Sequence, residues 1–171
     1  MRVMGIDPGV ATTGYGVVQR TGSTLRLVAA GVIRTDPAAD HAARLAVLWS
    51  VLGDLLATHR PDVAAVERLF FNANVRTAMA VGQASGVALL AAAQAGVGVA
   101  HYTPLEVKQS VVGVGNAPKR QVQSMVAAVL NLPAAPRPAD AADACALAIC
   151  HLNRQGLASA LTRAERAGTT R

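Results

Sequence analysis

Asp7, Glu67, Asp140 and Asp143 are four of only ten acidic residues in this chain, and all four stand in apolar surroundings. Asp7 follows Val3-Met4-Gly5-Ile6, Glu67 follows Val63-Ala64-Ala65-Val66, and Asp140 and Asp143 lie among alanines just before Cys145. A buried carboxylate without a partner costs several kcal/mol or takes up a proton. Each acid has an ordinary explanation by itself. Asp7-Pro8-Gly9 is a turn signal, Glu67 can pair with Arg68 or Arg76, and Asp140 suits the start of a helix. Together they point to a site where repulsion is relieved by a hard cation with oxygen ligands, for which Mg²⁺ is the natural candidate. Lys119 and Arg120 form a second unusual pair. They fall in the first turn of an expected helix, the end that disfavours cations. A solvated charge pair accounts for them, and so does a phosphate cradle.

The elements that must position these residues follow from the patterning. Strands are expected at Arg2–Asp7, Gly14–Arg20, Leu25–Arg34, Val63–Glu67 and Val97–Tyr102, with a hairpin turn at Thr21-Gly22-Ser23. Helices are expected over Asp40–Arg60, where Leu45, Leu48, Leu52 and Leu55 recur near the 3.6 period, and over Asn74–Ala95, Pro118–Leu130 and Ala139–Asn153. Thr103-Pro104-Leu105-Glu106 opens a further helix with a capping box. A hairpin followed by alternating helices and strands gives an α/β mixed sheet with helices on both faces. In parallel neighbours, strand ends meet on one edge, so Asp7 and Glu67 come together there. Asp140 and Asp143 share one helical face, with Cβ atoms about 5–6 Å apart.

Composition narrows the partners. The 171 residues suit one domain, and the net charge of +6 favours an anionic partner. Cys145 and Cys150 do not share a helical face and read as buried, inert thiols. The uncharged stretch Ala78–Ala100 is long enough for a bilayer, but Gln83, Ser85, Gln94 and its glycines favour a buried helix followed by a strand. Gly82 and Gly86 permit close helix approach, either within the chain or across a dimer. Gly113-Val114-Gly115 lacks the features of a dinucleotide fingerprint and reads as a loop over the site. No signal peptide is visible, which favours the cytoplasm.

Gly5-Ile6-Asp7-Pro8-Gly9 with Thr13-Gly14-Tyr15-Gly16-Val17 resembles the opening of RuvC-type Holliday junction resolvases. The resemblance continues through Val66-Glu67-Arg68-Leu69-Phe70, Val107–Gly113, and Ala139–Ala144 with Leu147-Ala148. It reaches to about His151. It implies an RNase H-like fold and a homodimer that cuts opposing strands of a four-way DNA junction symmetrically, working beside the RuvA–RuvB branch-migration complex. It implies that Asp7, Glu67, Asp140 and Asp143 are the catalytic, metal-holding quartet, with two Mg²⁺ ions and Mn²⁺ as a substitute. It also implies that Lys108 and Lys119 lie near the scissile phosphate, that Lys119 acts in catalysis, and that Phe70 stacks on a base. Arg76 and Arg120 are further DNA-contact candidates. The nuclease domain is expected over 1–155, with a basic tail over 156–171 that has little to bury.

Three other functions compete with this one. An actin-like ATPase or sugar kinase shares the opening motif but needs two such domains. An RNA-cutting relative shares the fold. A junction-binding protein without activity would not need the full quartet.

Overall fold

Two short apolar strands set the frame. Strand β1 (Arg2–Asp7) and β4 (Val63–Glu67) pair in parallel, with Ile6 opposite Val66, so Asp7 and Glu67 leave the same edge of the sheet. The structure, a computed structural model, describes the backbone of residues 1–68 and 75–168 and the side chains of 1–68 and 77–157. Strands β2 (Thr12–Thr21) and β3 (Thr24–Arg34) form the expected hairpin and add antiparallel to β1. Strand β5 (Gly98–Tyr102) adds parallel to β4. The order is β3-β2-β1-β4-β5.

Alternation along the central strands supplies a core on each face. On one face Met4, Ile6, Val17, Ala64 and Val66 pack against helices α1 (His41–His59) and α2 (Val75–Gln94). The other face sends Val3, Val18 and Ala65 toward α3 (Pro104–Val112), α4 (Lys119–Val129) and α5 (Ala139–Gly168). The buried stripe of α1 is Leu48, Leu52 and Leu56, while the expected Leu45 and Leu55 are only partly buried beside it. In α2 the tight contacts fall on Ala84, Ala88, Ala91 and Ala92, while Gly86 is exposed with open space where a Cβ would stand. Helix α3 starts with the expected capping box between Thr103 and Glu106. The stretch that could mimic a membrane span is α2 and β5, and no helix among the described residues is long and apolar enough to cross a membrane.

The last helix runs to Gly168 rather than ending at Asn153. Beyond Asn153 the apolar periodicity that marks a packed helix fades. The residues there are nonetheless good helix formers, among them Gln155, Leu157, Ala158, Ala160 and Leu161.

Candidate metal centre

Helix α5 can reach the carboxylate edge only because the strands beneath it lack side chains at the crossing. A Cβ added to Gly14 would fall on the Asp140 carbonyl oxygen, and one added to Gly5 would fall on that of Ala144. Gly14 is also the residue paired with Asp7 across β1 and β2. This single glycine therefore fixes how near Asp140 comes to Asp7. The turn between the strands is held by Thr13, which is buried. Its hydroxyl accepts from the Gly9 N–H at 3.2 Å and donates to the Gly9 carbonyl at 2.7 Å. Sequence reading passed over Thr13 as a positioning residue. Its only signal is a threonine four residues after the glycine of an Asp-Pro-Gly turn.

Carboxylate oxygens of Asp7, Asp140 and Asp143 all lie within 4.8 Å of one another. Glu67 is outside that triplet but lines the same cavity of about 240 Å³ as Asp7, Asp143, Lys108 and Lys119, over an apolar floor that includes Val107 and Val122. Burial, then the charges of Glu67, Asp143 and Asp140, push the Asp7 carboxyl up to about 7. Burial and the Asp143 charge also raise Glu67. Lys119, in the first turn of α4, pairs with Asp143 at 2.5 Å, and that bond raises the lysine. Asp143 thus has a basic partner, from a different helix. One lysine does not neutralise four acids. Among the described residues, the carboxylates of Asp7, Glu67 and Asp140 have no hydrogen-bond or ion-pair partner. Clustered oxygens with an acid held near neutrality are the donor set a hard divalent cation favours.

The DNA-contact candidates divide. Lys108 and Lys119 face the carboxylate cavity. Arg120 is exposed in the first turn of α4 and does not line it. Phe70 and the side chain of Arg76 lie outside the described residues. Cys145 and Cys150 are free and buried, and burial pushes the Cys145 thiol up to about 12, which suits the inert role expected of it.

A five-stranded mixed sheet with helices on both faces and acids at its central strand ends is an RNase H-like fold. Comparison with known proteins narrows the class. Residues 3–151 match the family model described as crossover junction endodeoxyribonuclease RuvC. A relative of that name from Pelotomaculum thermopropionicum is 54% identical over 88% of this chain and 92% of its own. The structure of Thermus thermophilus RuvC aligns at TM-score 0.85 and 38% identity, covering 92% of this chain and 97% of that one. T. thermophilus RuvC in complex with Holliday junction substrate aligns at TM-score 0.85 and 37% identity, covering 92% and 96%. The chain belongs to the RuvC family of crossover junction endodeoxyribonucleases.

Proposed function

We propose that this protein resolves four-way DNA junctions by paired, symmetric nicks, using Asp7, Glu67, Asp140 and Asp143 to hold two Mg²⁺ ions, with Mn²⁺ as a substitute. The observation that carries the reading is the convergence of Asp7, Asp140 and Asp143 from two distant segments onto one point. When bound, the ions would activate water for attack on the phosphate and stabilise the leaving 3′-oxygen. Asp7, at the end of a central strand between its acidic neighbours, would be the central residue holding the ions. Glu67 and Asp140 suit one ion each, with Asp143 assisting. Lys119 suits a contact with the reacting phosphate: it is largely exposed and can exchange the Asp143 carboxylate for a phosphate oxygen. Lys108, on the adjoining wall, would neutralise the same backbone.

Symmetric cutting calls for a homodimer. The exposed Gly86 surface of α2, next to exposed Leu90, supports that helix as the contact. Base stacking by Phe70, backbone contacts from Arg76 and Arg120, a location in the cytoplasm and work beside RuvA–RuvB belong to the same reading. So does a basic tail from 156 that adds to DNA affinity without belonging to the nuclease core.

The test is incubation with a synthetic four-way junction, with and without Mg²⁺, beside an RNA–DNA hybrid and an ATPase assay. Symmetric nicks that need the metal are expected. Preference for the hybrid, ATP hydrolysis without DNA, or binding without any cutting would each replace the proposal with one of its rivals.

A further inference from the structure

The carboxylate cluster is a ridge between two hollows. Asp7, Glu67 and Asp143 face the smaller one, with Lys108 and Lys119. Asp140, whose carboxylate still lies within 4.8 Å of those of Asp7 and Asp143, also lines a second groove of about 790 Å³ bounded by the β1–β2 turn (Gly9 to Thr12), the start of α1 and the first half of α2. Among the described residues, Asp140 is the only acid lining that groove, while Arg44 and His41 supply its basic groups. Asp40, beside His41, uses its carboxylate to cap α1 by accepting from the Ala42 N–H at 3.1 Å.

Arg44 is not loosely placed. Its Nε donates to Thr35 Oγ1 at 2.8 Å, and the Thr35 hydroxyl donates to the Val10 carbonyl at 2.6 Å. The guanidinium is thereby tied to the same turn that carries Asp7. No carboxylate pairs with it among the described residues, and its two terminal nitrogens make no hydrogen bond there. Across the groove, His41 Nε2 meets Gln83 Oε1 at 2.7 Å and links its two helical walls.

A phosphodiester held on the ridge has chain continuing on both sides. We infer that the groove takes the sugar–phosphate backbone of the cut strand on the side away from Lys108 and Lys119, with Arg44 gripping a phosphate that flanks the scissile one. This inference rests on the nuclease reading above and extends it to a second backbone channel. Arg44 suits the task because Nε is already occupied, so the remaining fork is oriented and offers two parallel donors to phosphate oxygens. No motif announces the residue, because its position depends on a fold-level contact between Thr35 and the β1–β2 turn.

Equilibrium binding of a four-way junction in Ca²⁺, without turnover, tests the channel across a salt series. Wild type is compared with Arg44→Gln, with Ala11→Asp, which puts an anion at an exposed point of the groove, and with Arg26→Gln at the opposite end of the sheet. Arg44→Gln is expected to bind about tenfold more weakly, with a log–log salt slope shallower by about one. Ala11→Asp is expected to weaken binding with an unchanged melting temperature, and Arg26→Gln to match wild type. If Arg44→Gln and Ala11→Asp both bind like Arg26→Gln, the channel is wrong while the nuclease reading stands. A wild type that neither binds nor cuts the junction would overturn both.

Discussion

Helix α5 reaches two carboxylates, Glu106 and Asp7, and does opposite things to them. To Glu106 it brings Arg154, whose Nη1 sits 2.5 Å from Oε1, while the Thr103 N–H donates to Oε2 at 2.8 Å. The backbone bond from Thr103 comes first and the bond from Arg154 second in holding this acid down at about 2. Arg154 also lies 5.6 Å from the centre of the Tyr102 ring, and the Tyr102 hydroxyl meets buried His151 Nδ1 at 2.8 Å. To Asp7 the same helix brings two more acids, Asp140 and Asp143, and burial first, then the charges of Glu67, Asp143 and Asp140, raise Asp7 to about 7. One end of the seam is a network of paired groups around Glu106, although the buried His151 Nε2 is left without a hydrogen-bond partner among the described residues. At the other end stability is sacrificed to concentrate negative charge. Burial and the lack of a partner together raise Asp7, while exposure and two donors hold Glu106 down.

The contrast can be broken from either end, and the largest effect is expected at Asp7. Asp7→Asn should lower cleavage by about 10³-fold or more while junction binding in Ca²⁺ stays near wild type; equal loss of both would make Asp7 structural. Gly14→Ala comes next. The added methyl would drive Asp140 away from Asp7, so cleavage should fall by about tenfold or more and Mn²⁺ binding, read by titration calorimetry, should weaken, with the helical circular dichroism retained. An unchanged Mn²⁺ affinity would mean that the helix backbone gives way elsewhere.

A smaller, opposite pair of pH effects should follow. Asp7 is raised in the fold, from 3.8 to about 7, so its contribution to stability is complete below about 3.8 and is lost as pH rises through about 7. Glu106 is lowered, from 4.5 to about 2, so its contribution is present above about 4.5 and lost as pH falls toward 2. Denaturant unfolding in EDTA should therefore show wild type weakening between pH 4 and 7, and Asp7→Asn should flatten that slope and gain about 1–2 kcal/mol at pH 8. A slope unchanged by the substitution would assign the repulsion to other groups. The smallest effect belongs to Glu106→Gln, which should cost about 1 kcal/mol above pH 5 through a weakened cap and a lost exposed ion pair, with cleavage rate intact. A loss of cleavage would show that the two ends of α5 are coupled.

Much of this was legible in the sequence because it lies in local patterns. The apolar runs ending in Asp7 and Glu67 define β1 and β4, the spacing of Asp140 and Asp143 sets one helical face, and Thr103-Pro104-Leu105-Glu106 writes the start of α3 directly. What was not legible depends on contacts between distant segments. The Lys119–Asp143 pair joins two helices. The placement of Asp140 depends on Gly14, and that of Arg44 on Thr35 and Val10. Glu67 was expected to join its partners outright, but convergence at strand level did not bring its oxygens into the tight triplet. The full length of α5 was missed because the sequence beyond Asn153 carries no apolar stripe to read.

The order of the four carboxylates along the chain has a consequence during synthesis. Asp140 and Asp143 come from the final helix, and Gly14 and Gly5 receive that helix only once it has docked. A ribosome-bound or prematurely terminated product would carry Asp7 and Glu67 without their counterparts. Under the nuclease reading such a fragment would lack half of the carboxylate quartet, so cutting would wait for α5 to be made and docked.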